Sequence, residues 1–363
     1  MNIGEKIVKY RGAILLLALI LLIPAFIGYQ NTRINYDMLT YLPDEMETVK
    51  GQNLLIDDFN KGGFSIVILE KMKQDEVKQF KDRVAEVDHV SQVVSLQDVL
   101  NPNVPTELLP DQVSSKLHKP DASLLVVFFD TTTSDEKTLE AVARIREIGN
   151  ENTYVSSLSS LVLDLKTLCE EEESKYVMVA VLFSLIAMML LLDSYAAPFF
   201  FLICIGIAIM YNLGSNILFG EISYITKAIA AVLQLGVTMD YSIFLWHSYT
   251  ENEDRGLDDE AAMAKAIDNT LISVMGSSVT TVAGFLALCF MSYTMGKDLG
   301  LVMAKGVILG VLSSITILPA LILQFRGLLH KTRHPSLIPD AHKLAHGLTS
   351  RYVIYIIVIN GNS

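Results

Sequence analysis

AIAAVLQLGVTMDYSIFLWH, residues 228–247, is the stretch that decides the fold of this chain. About 20 helical residues at roughly 1.5 Å each extend about 30 Å, which matches the hydrocarbon core of a bilayer. Asp240 nevertheless lies within this apolar run. An aspartate at the centre of a membrane helix costs roughly 2.5–3.5 kcal/mol on insertion scales, so it is expected only where function requires a titratable group. We interpret the stretch as a membrane helix with a proton or cation site; the alternative is a solvated acid at a misplaced helix end.

The composition indicates an integral membrane protein. The chain has 363 residues, is 51% hydrophobic and carries a formal net charge of −12. Its charged residues concentrate before Tyr176 and in two later loops, while the runs between them are nearly uncharged. An acidic chain without a basic stripe is not expected to bind nucleic acid. Cys169, Cys204 and Cys289 lack the spacing of a metal site or a disulfide framework, so we predict no metal site.

Five further apolar runs bring the predicted number of transmembrane helices to six. They are residues 13–27, 176–192, 198–213, 271–290 and 299–323. No clear cleavage site follows the first run, which therefore predicts an uncleaved helix rather than a signal peptide. Lys6, Lys9 and Arg11 precede it. The positive-inside rule then predicts a multi-pass protein of the cell membrane, with a cytoplasmic N-terminus and residues 29–175 outside the cytoplasm.

Residues 29–175 predict an α+β domain. Strand-like runs and amphipathic helices alternate over residues 64–69, 75–87, 90–95, 123–129, 135–148 and 153–156. Two such βαβ-like units predict a ferredoxin-like sandwich, and residues 101–120, with four prolines, predict the loop between them. The domain has no phosphate-binding loop, nucleophile elbow or paired acids at hydrolase spacing, so we do not expect an enzyme.

The predicted fold class is a polytopic α-helical membrane protein with six transmembrane helices and an extracytoplasmic α+β ferredoxin-like domain. Its four parts are the first transmembrane helix (1–28), the extracytoplasmic domain (29–175), helices two to six (176–325), and a cytoplasmic segment with the start of a seventh helix (326–363). The acidic stretch 251–260 begins a predicted amphipathic helix along the cytoplasmic surface of the membrane, with apolar residues at 261, 262, 266 and 267. The apolar run 352–359 covers only about 12 Å, so it either starts a truncated helix or merely touches the membrane.

Two residues beside Asp240 could assist proton movement. Gly236 lies one turn earlier on the same helical face, and Tyr241 supplies an adjacent hydroxyl. His247 lies two turns further on, about 10 Å away, so waters would have to bridge the gap to Asp240. The alternative for His247 is an interfacial histidine without a role.

The fifth and sixth helices offer further polar groups. Ser277 and Thr281 belong to a polar face at about the depth of Asp240, where they either hydrate the carboxylate or pack as small residues. Lys305 lies inside the sixth helix. We expect its side chain to snorkel toward the membrane surface rather than to pair with an acid.

The motif GVTMDYSIFL at 236–245, the acidic loop 251–260 and SSVTTVAGFLAL at 277–288 together resemble the MmpL-type branch of the RND transporters. The order of one helix, a large domain and five helices is similar as well. This resemblance implies a proton-driven exporter of lipids or other amphiphiles, a secondary active transporter with Asp240 and Tyr241 as the proton-relay pair. It implies protons as the coupling ion, no other cofactor, and membrane lipids and an amphiphilic substrate as partners, with residues 29–175 as the porter domain.

Members of that family carry two such halves in one chain, with relay residues in both, whereas this sequence resembles the first half. The resemblance therefore implies a homodimer or a second half-transporter as partner. Two other classes stay open. One is a non-transporting lipid- or sterol-sensing membrane protein, which would tolerate Asp240→Asn; the other is an accessory subunit of protein export.

Overall fold

The computed structural model describes residues 2–59, 62–95 and 122–335. In chain order the elements are α1 (Ile3–Lys9), α2 (Arg11–Asn31), β1 (Arg33–Asn35), α3 (Glu47–Asp57), β2 (Gly63–Glu70), α4 (Gln74–Ala85), β3 (Val90–Ser95), β4 (Ala122–Phe129), α5 (Glu136–Ile148), β5 (Thr153–Ser156), α6 (Leu158–Leu191), α7 (Ala197–Gly214), β6 (Glu221–Ser223), α8 (Tyr224–Asp254), α9 (Asp259–Ala287), α10 (Met295–Gln324) and α11 (Arg326–Lys331).

Six of these helices, α2 and α6 to α10, are long and apolar enough to cross a membrane. Each covers one of the six predicted apolar runs, so this part of the predicted fold class is confirmed. Two of the six, α6 and α8, begin at a serine side-chain cap; at the start of α8 the Ser223 hydroxyl accepts from the Ile225 amide at 3.2 Å. We call the end of the bundle beside the α/β domain the domain end, and the opposite end the far end.

The α/β domain is a four-stranded antiparallel sheet in the order β3-β4-β2-β5, with α4 and α5 between the strands in sequence. This strand order is that of a split βαβ sandwich, so the predicted ferredoxin-like fold is confirmed. Alternate residues of β2 and β4, such as Val67 and Leu125, are fully buried against the two helices. The predicted strands agree with the observed ones within one residue.

The other face of this sheet is also apolar. Ile66 and Ile68 of β2 lie opposite Val126 and Leu124 of β4, and all four are partly exposed. Phe64 and Tyr154, on the same face, are 56% and 51% exposed. The sheet is therefore apolar on both faces.

Helix α6 joins the α/β domain to the membrane bundle without a break. It starts one residue after the strand β5, where the Ser157 hydroxyl accepts from the Ser160 amide at 2.9 Å, and it runs for 34 residues. The predicted domain boundary at residue 175 falls inside this helix. Glu173 on α6 pairs with Lys227 on α8 at 3.0 Å, and both side chains are only 19% exposed.

Helix α10 is the centre of the bundle. In the most apolar 18-residue segment of α10, 72% of the residues are buried, compared with 6% in that of α6 and 11% in that of α9. The helices α7, α8 and α9 all pack on it. Gly306 faces the side chains of Asn212 and Gln234, and Gly310 faces Thr238. The missing side chains on α10 therefore let α8 approach closely.

Three features differ from the sequence-based expectations or were missed by them. Residues 259–267 are the first turns of α9 rather than a separate surface helix, because no proline interrupts residues 259–287. Helix α1 packs on α9, where the Gly4 amide donates to Asp268 Oδ1 at 3.1 Å. The strands β1 and β6 pair in parallel at the domain end. The predictions for residues 101–120 and 352–359 lie outside the described residues.

The crossing of α2 and α7 gives a stability prediction. A methyl group on Gly214 would lie 2.6 Å from the Ala25 carbonyl carbon, whereas one on Gly206 of the same helix would meet nothing within 4 Å. We expect Gly214→Ala to destabilise the bundle by about 1–3 kcal/mol, because the two backbones must separate. Gly206→Ala is the matched control and should be neutral or slightly stabilising. Thermal unfolding in detergent measures both, and an equal midpoint for the two variants would contradict this packing.

Candidate functional site

The packing of α8 against α10 fixes which of its residues face inward. Gln234, Thr238 and Ser242 recur every four residues on α8, and each is at most 1% exposed. Ser242 and Ser314 approach at 3.3 Å between their hydroxyl oxygens. This inner face turns the opposite side of α8 out of the bundle.

Asp240 lies on that outward side. It is exposed, and so are Gly236 and His247, which share its side of the helix. Phe244, one turn after Asp240, is 64% exposed. Nothing lies within 4 Å of the position where a side chain on Gly236 would begin. We call Gly236, Asp240, Phe244 and His247 the Asp240 stripe. Among the described residues, no hydrogen bond or ion pair reaches the Asp240 carboxylate.

Tyr241 points the other way. It is 6% exposed and packs in the core of the bundle, in the same cluster as Leu245 and Trp246. Successive helical residues are about 100° apart, so the two members of the predicted relay pair lie on different sides of α8. Their adjacency in sequence therefore does not bring the hydroxyl onto the Asp240 stripe.

The polar residues of α9 are engaged within their own helix. The Ser277 hydroxyl donates to the Val274 carbonyl at 3.2 Å, and the Thr281 hydroxyl donates to the Ser277 carbonyl at 3.0 Å. Ser277 is exposed and Thr281 partly exposed. Within the part of the chain that the structure describes, neither hydroxyl bonds to Asp240. They form a small, weakly polar surface on α9, which packs against α8.

Lys305 reaches from α10 toward the domain end of α7. Its ammonium donates to the Asn212 carbonyl at 3.0 Å and to Asn216 Oδ1 at 2.5 Å, and it lies 4.8 Å from the centre of the Phe219 ring. No carboxylate of the described residues lies within salt-bridge distance of it. The Lys305 side chain thus extends toward the domain end, as expected for snorkelling. Its ammonium, however, binds oxygen atoms of the protein.

Sequence reasoning missed the amides around Lys305. Asn212, Asn216 and Gln234 are at most 1% exposed, and Asn212 Nδ2 donates to Gln234 Oε1 at 2.9 Å. The sequence could have revealed these amides. Polar side chains inside apolar membrane runs are rare because they are costly to insert, and this holds for amides as it does for Asp240.

Ion pairs hold the far end together. Asp193 accepts from the Trp246 indole at 2.7 Å and pairs with Arg333 at 3.2 Å. Ligand atoms of Glu253, Asp259 and His330 lie within 4.8 Å of one another. However, Arg333 lies 3.6 Å from Glu253, and Arg326 lies 3.4 Å from Asp259. These guanidinium groups already neutralise the carboxylates, so the cluster is better described as an ion-pair network than as a metal site.

Two tyrosines between the membrane and the α/β domain stay neutral. Burial raises the pKa of Tyr36, and the nearby Glu170 carboxylate raises it further. Burial likewise raises the pKa of Tyr41, with a smaller contribution from Asp298. The ring of Tyr36 stacks on that of Tyr224 at 5.4 Å between centroids. These phenols therefore stay protonated at physiological pH.

Comparison with known proteins identifies relatives of this arrangement. The model of the MMPL family matches residues 40–333. The membrane protein MJ1562 of Methanocaldococcus jannaschii is 25% identical over 350 residues, which cover 85% of this chain and 89% of that protein. The trehalose monomycolate exporter MmpL3 of Mycobacterium tuberculosis is 28% identical, but the match covers 28% of this chain and 11% of MmpL3. The siderophore exporter MmpL5 of the same species is 27% identical, over 52% of this chain and 20% of MmpL5.

A solved structure shares the fold. SecDF from Thermus thermophilus, a translocon-associated membrane protein, aligns over 90% of this chain and 39% of its own, with a TM-score of 0.50 and 18% identity. At that identity the likeness concerns the fold alone.

The two aspartates at either side of the bundle should differ in their effect on stability. Asp193→Ala removes the acceptor of a buried indole N–H and one partner of Arg333, so we expect a loss of about 1–3 kcal/mol. Asp240→Asn removes no interaction among the described residues, so we expect a change within about 0.5 kcal/mol. The chain has a single tryptophan, and it is this Trp246 whose fluorescence can follow unfolding in detergent. A larger loss for Asp240→Asn than for Asp193→Ala would contradict the placement of Asp240.

Proposed function

Because this chain belongs to the MMPL family, we propose that it is a half-size exporter driven by the proton motive force, with Asp240 as its proton-binding residue. The observation that carries this proposal is the outward position of Asp240 on a helix that is long enough to span a bilayer. A carboxylate that faced only lipid would be too unfavourable to keep without a function. Its protonation and deprotonation give the chain a charge that one proton can switch.

The open surface around Asp240 favours a partner at this site. Gly236 has space where a side chain would be, which lets a helix of another chain approach within close packing distance. A second copy of this chain, or a separate second half-transporter, would cover the Asp240 stripe and exclude lipid from the acid. MJ1562, which this chain matches over 89% of its length, is a relative of similar size, and this supports a half-size unit.

The proposed orientation puts the far end in the cytoplasm of the cell and the α/β domain outside it, in the cell membrane. Arg326, Lys331 and Arg333 at the far end support this assignment under the positive-inside rule. One proton that crosses a potential of 100 mV releases roughly 2.3 kcal/mol, which is enough to bias a two-state cycle.

We propose lipids or other amphiphiles as the exported substrate. MmpL3 and MmpL5, named as exporters of trehalose monomycolate and of siderophores, support this class. The partly exposed apolar face of the sheet, with Phe64 and Tyr154, is a surface along which the apolar part of such a molecule could pass. The α/β domain would then act as the porter domain.

The remaining predicted residues have supporting roles in this proposal. Tyr241 orients α8 from its buried side, and His247 extends the Asp240 stripe toward the cytoplasm. Ser277 and Thr281 offer small polar groups beside the stripe once the partner excludes lipid. Protons are the coupling ion, and the proposal needs no other cofactor.

Efflux from proteoliposomes tests the proton site directly. A fluorescent amphiphile reports export and a pH dye reports proton movement after an imposed gradient. Asp240→Asn should lower proton-coupled efflux at least about 100-fold, because the amide cannot take up a proton at this position. Asp254→Asn, on the same helix but outside its apolar part, should stay within about twofold of the parent. Export by Asp240→Asn at the parent rate would refute the proposal.

Cross-linking tests the partner. In a background with Cys169, Cys204 and Cys289 replaced by alanine, Gly236→Cys should form a covalent dimer with a short bis-maleimide in membranes. Gly206→Cys, which is equally open but lies on α7, is the control and should not. Absence of any cross-linked product for Gly236→Cys would exclude a second copy on the Asp240 stripe.

A further inference from the structure

The interior of the bundle holds a second group of polar side chains on the side of α8 opposite to Asp240. Asn212 and Asn216 come from α7 and the turn that follows it, Gln234 and Thr238 from α8, and Lys305 from α10. We call these five residues the inner polar column. The first four are at most 1% exposed. Polar groups in this position are uncommon in membrane bundles, and they mark sites where ions, protons or water are handled.

Each of the four buried side chains has one polar atom without a hydrogen-bond partner in the described part of the chain. These atoms are Asn212 Oδ1, Asn216 Nδ2, Gln234 Nε2 and Thr238 Oγ1. Buried polar atoms in folded proteins almost always have partners, and ordered water commonly supplies them. Three of these side chains face α10, since Gly306 lies against Asn212 and Gln234 and Gly310 lies against Thr238, while Asn216 contacts Lys305. Ordered water between these helices would satisfy all four atoms.

The unpartnered donors and acceptors of the inner polar column indicate which ligand it can bind. Its unpartnered atoms include an amide oxygen, two amide nitrogens and a hydroxyl, so the ligand must both donate and accept hydrogen bonds. The Lys305 ammonium repels metal cations, and the amide oxygens disfavour a bare anion. Water fits both requirements.

Lys305 is the titratable member of the column. Its three contacts are a carbonyl oxygen, an amide oxygen and the face of an aromatic ring, and none of them carries a negative charge. An ammonium that lacks a counter-ion gains less from staying charged than one in a salt bridge.

Charged groups on the surrounding elements have other partners. Asp298, two turns nearer the domain end on α10, accepts from the Ser223 amide and the Thr226 hydroxyl, both at 2.7 Å. Lys227 on α8 pairs with Glu173 of α6. Glu221 of β6 accepts from Asn35 at 2.9 Å. Within the described residues these groups leave Lys305 with neutral partners.

We propose that Lys305 and the waters bound in the inner polar column form a second proton-binding site within each copy of the chain, separate from Asp240. This inference rests on the proposed proton-driven function. When Lys305 releases a proton, one N–H bond breaks and one O–H bond forms on the adjacent water, which passes a proton along the column. A proton that arrives from the domain end restores the ammonium.

Three side chains at position 305 separate a titrating lysine from a structural one. Lys305→Met removes the charge and Lys305→Arg keeps it permanently, so both should lower proton-coupled efflux at least about tenfold. They should also flatten the dependence of efflux on the pH at the domain side. The matched controls Lys297→Met and Lys297→Arg, at an exposed position of the same helix, should behave as the parent. Parental efflux and pH profile in Lys305→Arg would overturn the proposal, because a fixed charge would then suffice.

A measurement without transport keeps the test independent of folding yield and of Asp240. Purified protein is titrated with a pH dye between about pH 6 and 9, where an ordinary lysine keeps its proton. The parent should release one more proton per chain than Lys305→Met or Lys305→Arg, also in the Asp240→Asn background. Equal proton release would overturn this inference and leave the proposed function standing, whereas parental efflux in Asp240→Asn would refute the proposed function itself.

Thr238→Val tests the column apart from the lysine. It keeps the shape of the side chain and removes the hydroxyl, which lies against Gly310 of α10 and has no hydrogen-bond partner among the described residues. We expect it to lower efflux at least about fivefold, whereas Thr270→Val, whose hydroxyl donates to the Ala266 carbonyl within α9, should not. Unchanged efflux in Thr238→Val would exclude a water path through this residue.

Discussion

The close approach of α8 to α10 is the constraint on which the rest of the bundle depends. Gly306 and Gly310 leave room on α10 for the polar side chains of α8, and this packing sets the rotation of α8 about its own axis. With that rotation fixed, Gln234 and Thr238 must face inward and Asp240 must face outward. A larger residue at either glycine would turn both polar faces at once.

The two faces of α8 then have complementary characters. The inner one is fully buried and bonded to α7 and α10 of the same chain. The outer one carries an acid without a partner among the described residues and a glycine with open space beside it. Such a division suits the assembly of two halves that we propose, since each half would be stable before it meets its partner while the shared surface would stay polar enough to move protons.

Much of this arrangement could be predicted from the sequence, because its main features come from residue patterns that strongly affect the free energy of burial or of insertion into a membrane. Long uncharged runs predict the six spans, alternation predicts the sheet, and the cost of inserting a charge singles out Asp240 and Lys305. The sequence could not predict which side of a helix faces the interior of the bundle. A helical pattern shows that Asp240 and Tyr241 lie about 100° apart, but only the packing against α10 decides which of them is inside. For the same reason the sequence places Lys305 in a span but does not reveal its amide partners.

Because α6 is unbroken, a residue inserted into it has a different effect from one inserted into a loop. Over 34 residues it forms a rod of about 50 Å, with the sheet fixed at one end and the bundle at the other. Loops absorb an added residue locally, but one added here would rotate everything beyond it by about 100° and shift it by about 1.5 Å. The number of residues between Ser157 and Leu192 therefore sets how far the α/β domain is rotated about the axis of α6 relative to the bundle.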